Sequence, residues 1–139
     1  MEDFIIKVFL VTILSGLIGI EREIRHKAAG IRTHILVGLA AFIFTYFSIL
    51  YFGNTEAARI IANILVGMGF IGAGVIIKEE NSKKVVGITT AASLWFTASI
   101  GILVGLKFLI EALVLSIIGF FVLASKEIYL IFTRKYYKW

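Results

Sequence analysis

Cysteine and proline are both absent from the 139 residues. Without cysteine there is no disulfide, no thiolate metal site and no cysteine nucleophile. Without proline every backbone N–H is kept, and long helices can run unbroken. Charge is scarce too, at 17% of residues against 60% hydrophobic, and the mean hydropathy is +0.99. A soluble domain of about 150 residues buries only ~70% of the surface its unfolded chain exposes. This much apolar side chain therefore needs lipid as its solvent. The marks of a cleaved signal peptide are also missing. MEDFIIK opens on two acids rather than a basic region, and no small-residue cleavage site follows the apolar stretch. The first segment is expected to stay as a helix.

What is present is a set of five apolar runs separated by charge: Phe4–Ile20, Ile35–Phe52, Ile60–Ile77, Gly87–Leu106 and Phe108–Ala124. Each has 17 to 20 residues. At ~1.5 Å per residue that is roughly 26–30 Å, close to the ~30 Å hydrocarbon thickness. A membrane β-barrel needs alternating segments of about ten residues, and none is found. The expected architecture is all-α, one transmembrane domain over residues 1–139 built as a bundle of five helices. The tail, residues 125–139, combines aromatics with cations and reads as an interfacial anchor. The turn between spans four and five is only Gly105, Leu106 and Lys107.

The net charge of +5 sits in the connections, where it signals topology before nucleic acid. Alternate connections hold Lys7, Arg59 and Lys107 on one side, three cations, and eleven on the other, from Arg22 to Lys138. The positive-inside rule then places the N-terminus outside and the C-terminus in the cytoplasm.

Small and polar residues fall on faces. Span one carries Thr12, Ser15, Gly16 and Gly19; span four carries Thr90, Ser93, Thr97, Gly101 and Gly105. Span three is denser, with Gly67, Gly69, Gly72 and Gly74 in GMGFIGAG. In lipid such faces let backbones approach closely, so these four glycines are expected to be helix-packing positions. Gly67–Gly72 matches GxGxxG, but lies mid-span instead of between a strand and a helix N-terminus, so it is no dinucleotide site. Asn63 and Glu111 are polar groups within spans. Asn63 is expected to hydrogen-bond between helices, with a ligand role as the alternative; Glu111 is close enough to the outer end to snorkel.

The stretch EREIRHKAAGIRTH after span one is the most informative. Glu21 with Arg25, and Glu23 with Lys27, stand at i,i+4 and would extend span one as a helix. Gly30 suits a position just past that helix's C-terminus, and Arg32 with the start of span two would form a positive pocket for a carboxylate or phosphate. His26 and His34 are too loosely spaced for a metal site, and no nucleophile, base and orienter share a segment. Neither an enzyme nor a cofactor is expected.

Three ordered motifs, GIEREIRHKAAGIRTHILVGL, RIIANILVGMGFIGAGVI and GITTAASLWFTASIGI, together resemble the MgtC/SapB family of bacterial membrane proteins over about Ser15 to Leu106. The family's motif positions fall on Glu21, Arg22, Glu23, Lys27, Gly30, Arg32 and Thr33, then on Arg59 and the four glycines, then on Thr89, Thr90 and Trp95. The resemblance implies a five-span protein of the bacterial inner membrane, tied to growth in low magnesium. It implies action by binding other membrane proteins, such as the F-type ATP synthase, and a homo-oligomer such as a dimer. The family pattern has Gln where Asn63 stands and a small hydroxyl residue at Val66. Many members also carry a soluble C-terminal domain, which has no counterpart before Trp139, so functions residing there are not expected to carry over. Glu21, Arg22, Arg32, Thr33, Asn63, Thr89 and Thr90 are the candidate polar or ligand residues. The alternative function is a small magnesium or proton transporter or channel, with Glu21, Asn63 and Thr90 near its pore.

Overall fold

The computed structural model describes residues 2–78 and 84–134, with side chains as far as Ser125. Four helices carry nearly all of it: α1 (Glu2–Ile24), α2 (Ile31–Gly74), α3 (Ile88–Gly105) and α4 (Leu109–Arg134). Between α2 and α3 lies a minimal antiparallel hairpin, β1 (Ile77–Lys78) and β2 (Val85–Val86), pairing Ile77 with Val86 and Lys78 with Val85. Span three was expected to run to Ile77; its helix stops at Gly74, where the β-branched residues Val75–Ile77 lead into the hairpin.

Among the described residues there are thus four helices where five were expected. Among the described residues α1, α2 and α3 are long and apolar enough to cross a membrane, and Leu109–Ser125 of α4 is a shorter apolar helix. The difference lies in α2, whose 44 residues are interrupted only at Gly53. Gly53 has φ 74° and ψ 171°, a conformation essentially reserved for glycine. Leu36 and Phe44 before it line the same groove as Ile60 and Ile71 after it. In a continuous helix residues 36 and 71 would be roughly 50 Å apart at ~1.5 Å per residue. The chain therefore folds back at Gly53, and the two halves of α2 lie side by side.

Two tight turns fix the remaining order. At the end of α1, His26 takes φ 51°, its N–H donates to Glu23 O, and the Lys27 N–H donates to Arg22 O. At the end of α3, Lys107 takes φ 70°, with matching bonds to Val104 O and, from Phe108, to Leu103 O. Both are Schellman caps, which satisfy the last carbonyls with a left-handed residue. Neither uses glycine. Gly30, expected past the end of α1, instead stands in extended conformation at the start of α2.

The core joins all four helices: Val11, Leu14 and Ile18 of α1 meet Phe42 of α2, Ile100 and Val104 of α3 and Ala112 of α4. Close approach is built in at Gly101, where a Cβ would lie 2.2 Å from the Gly38 carbonyl oxygen. The outside is apolar: Phe70 is 85% exposed, Ile110 75% and Val66 74%. Bare side chains of this size suit hydrocarbon rather than water.

The hydroxyl faces of spans one and four turn inward. Ser15, Thr90, Ser93 and Thr97 are all buried. Several hydroxyls bond their own helix, Thr12 to Val8 O at 2.8 Å and Thr97 to Ser93 O at 2.9 Å, which satisfies them without a partner helix. The glycine face of span three behaves differently. Gly72 alone lies against a neighbour, with its would-be Cβ 3.5 Å from Ala91, while Gly67, Gly69 and Gly74 have nothing within 4 Å. Among the described residues, these three glycines meet no packing partner. Of the anchor expected over residues 125–139, the backbone as far as Arg134 continues helix α4, and residues 135–139 lie outside the described residues.

Candidate functional site

The chemistry concentrates where α1 ends, α2 and α3 begin and α4 passes by. Glu21 and Arg22 are each under 5% exposed. The Arg22 Nε donates to Glu21 Oε2, and the Arg25 Nε donates to Glu21 Oε1 at 3.0 Å. The Arg22 Nη2 also donates to the Leu123 carbonyl at 3.3 Å, tying α1 to α4 across 101 residues of sequence. A buried charge is stable only when paired and hydrogen-bonded, and here one carboxylate serves two guanidinium groups.

The expected i,i+4 pair of Glu21 and Arg25 is present. Glu23 does something else: its Oε2 accepts the Ile31 N–H at 2.9 Å. It thereby caps α2, whose Gly30 offers no side-chain oxygen. A Cβ on Gly30 would collide with that carboxylate at 1.7 Å. The positive N-terminus of α2 that suited a carboxylate or phosphate is thus filled by the chain's own Glu23, while Arg32 points outward and exposed.

His34 is fully buried and bridges two helices. Its Nδ1 lies 2.8 Å from Gly30 O, a pure acceptor, so Nδ1 carries a hydrogen. Its Nε2 lies 3.1 Å from Ser93 Oγ, and Ser93 Oγ also lies 2.8 Å from Thr90 O. With a neutral ring, the single Ser93 proton has two claimants, Nε2 and the Thr90 carbonyl; with a charged ring, both bonds form at once. This histidine–serine contact was not foreseen, because residues 59 apart in sequence carry no shared pattern. Ser93 is only 3% exposed.

Beside this cluster opens a cavity of about 770 Å³, lined by Arg22, Arg25 and Lys27 from the α1 end and by Gly87, Thr89 and Thr90 from the start of α3. Of the expected site residues, Arg22, Thr89 and Thr90 meet here, and Glu21 stands behind Arg22. Arg32 and Thr33 lie on the first turn of α2 and do not line it. Asn63 is remote, exposed on the second half of α2 in the apolar groove between the two halves. Glu21, Asn63 and Thr90 are therefore not gathered around one opening. Among the described residues no three His, Asp or Glu side chains come together as a metal site.

Comparison with known proteins places these features in context. The model of the MgtC family matches residues 8–129. The chain is 43% identical to Protein MgtC of Brucella abortus (strain 2308) over 105 residues, 76% of this chain and 43% of that protein. It is 40% identical to the "Putative magnesium transporter YhiD" of Escherichia coli (strain K12) over 112 residues, 74% of this chain and 51% of the relative. It is 41% identical to Protein MgtC of Salmonella typhimurium over 118 residues, 85% of this chain and 50% of the relative. The chain spans about half the length of these curated relatives. No solved structure matches it.

Proposed function

The chain belongs to the MgtC family, and from that premise we propose that it is a non-enzymatic protein of the bacterial inner membrane that serves magnesium homeostasis by packing against other membrane proteins. The observation that carries this reading is the open face of α2. Among the described residues a Cβ on Gly67, Gly69 or Gly74 would meet nothing within 4 Å, and Asn63 is exposed on the same half-helix, on one face with Gly67 and Gly74 at 3.6 residues per turn. In lipid, small residues allow a second helix close approach, and an amide finds its hydrogen-bond partner across it. A side chain such as Asn gains nothing from acyl chains alone. The name of the Escherichia coli relative supports the link to magnesium. The partner is a different membrane protein or a second copy of this chain.

Five crossings, with the N-terminus outside and the C-terminus in the cytoplasm, are part of the same proposal: the fold-back at Gly53 supports the number, and the three-against-eleven split of cations between the connections supports the orientation. The two halves of α2, residues 31–52 and 54–74, are each roughly 32 Å long at ~1.5 Å per residue, one bilayer apiece. Reporter fusions after Lys27 and Lys84 should come up cytoplasmic and one after Gly53 extracytoplasmic; the reverse would overturn the map.

The absence of cysteine makes the contact testable with one substitution. Asn63→Cys in intact membranes should crosslink to a protein, and adding Gly67→Leu should abolish both the adduct and growth support in low magnesium. Normal growth of the Gly67→Leu variant with no protein adduct at Asn63→Cys would show that this face meets only lipid. A cation transporter is the second reading, favoured by the name of the Escherichia coli relative. Magnesium flux into proteoliposomes that disappears with Glu21→Ala would install it instead.

A further inference from the structure

Two constraints act on the junction between α2 and α3, and together they leave it one place to lie. The first comes from the backbone. Among the described residues β1 and β2 pair only with each other, Ile77 with Val86 and Lys78 with Val85. Each strand therefore keeps an outer edge whose N–H and C=O groups need water or headgroups, and hydrocarbon offers them neither.

The second constraint comes from the side chains. Ile76, Ile77 and Ile88 are exposed, Ile77 at 58% and Ile88 at 60%. Val85 and Val86 border the cavity of Arg22, Arg25 and Lys27, whereas these three isoleucines do not. Gly87 brings them together: a Cβ on it would lie 3.1 Å from the Ile76 Cα, and Ile88 follows directly. A cluster of bare branched side chains costs free energy in water, in proportion to its apolar area.

We infer that this junction is a membrane-docking surface, with Ile76, Ile77 and Ile88 seated in the layer where phospholipid headgroups meet acyl chains. Strand edges keep the hairpin out of the hydrocarbon core, and the isoleucines keep it out of bulk water. The occupant is lipid because the cluster continues the outer surface of α2, on which Val66 and Phe70 are among the barest side chains. Alternation along β1 puts Lys78 on the opposite face of the pleat from Ile77, so Ile77 enters the apolar layer without carrying an ammonium with it. The seat is rigid. Gly87 holds φ 93°, and a Cβ there would lie 1.9 Å from Val75 O, so the start of α3 is pressed onto the end of α2. The depth of the hairpin thereby sets the depth of both helices.

The chain has no cysteine, so single cysteines report on this depth cleanly. The full chain is placed in nanodiscs of phosphatidylcholine and phosphatidylglycerol in equal parts, with a fluorophore on Ile77→Cys, Ile88→Cys, Lys78→Cys or Val66→Cys. At Ile77→Cys and Ile88→Cys, doxyl lipids labelled near the headgroup should quench about twofold more than those labelled near the acyl terminus, since interfacial apolar faces sit roughly 5–10 Å deep. Iodide should quench these two labels about threefold less than Lys78→Cys, across the pleat. Val66→Cys, eight residues before Gly74 and so about 12 Å deeper, should show the reverse order of doxyl quenching. Iodide quenching at Ile77→Cys and Ile88→Cys equal to that at Lys78→Cys would put the junction in water and overturn the inference. Protection from iodide with no quenching by either doxyl lipid would overturn it too, because a second copy of the chain would then cover the surface. The junction lies beyond the glycine-dense face of α2, so either failure leaves the contact proposed there standing.

Discussion

The junction of α1, α3 and α4 and the second half of α2 are both rich in residues that pure hydrocarbon would not select, yet the chain treats them oppositely. At the junction Glu21, Arg22, His34 and Ser93 are all under 5% exposed, and each has a named partner within the chain. On α2, a Cβ at Gly67, Gly69 or Gly74 would meet nothing within 4 Å among the described residues, and Asn63 is exposed. Polar groups that must be satisfied at once are closed inside. Small residues cost little when bare and can be left uncovered. The first region holds the fold, and the second is the face that the proposed contact would use.

The comparison breaks most readily at the junction. Arg22→Ala strands the Glu21 carboxylate in a buried site with only Arg25, and should lower stability in detergent by ~3–5 kcal/mol, the usual cost of removing one member of a buried pair. Retention of wild-type thermal stability would show that the pair is solvated. Gly101→Ala drives a methyl into the Gly38 carbonyl and should cost ~1–3 kcal/mol by overpacking. Gly69→Ala, an identical change on the open face, should fall within about 0.5 kcal/mol. Equal losses for the two glycines, read as unfolding midpoints, would erase the distinction between the faces. Smallest of all should be Ser15→Ala, because the Ser15 hydroxyl is buried with no hydrogen-bond partner and its removal strands nothing. A marked loss there would reveal a bond to bound water.

The expected loop pocket is instructive beside the observed one. Reading the stretch from Glu21 to His34 drew attention to cations next to a helix start, which is sound electrostatics. What it lacked was the competing carboxylate: Glu23 is eight residues from Ile31, and nothing in a one-dimensional pattern says that the turn at His26 will bring them together. The cations gather one helix away instead, where Arg22, Arg25 and Lys27 line an opening beside the start of α3 and Glu21 bridges the two arginines. Gly53 teaches a similar point. A break between Phe52 and Ile60 was expected from the apolar runs, but only the positive φ of Gly53 reveals which residue makes it.

Composition and periodicity were enough to establish that lipid is the solvent, that the structure is helical and that the hydroxyl faces of α1 and α3 turn inward, because hydropathy and the 3.6-residue repeat are local properties. The turns at Lys107 and His26, the meeting of His34 with Ser93, and the choice of which glycines are covered belong to tertiary structure. Each depends on which helices become neighbours. That is a collective outcome of packing shape and buried-charge pairing, and no single segment of the chain encodes it.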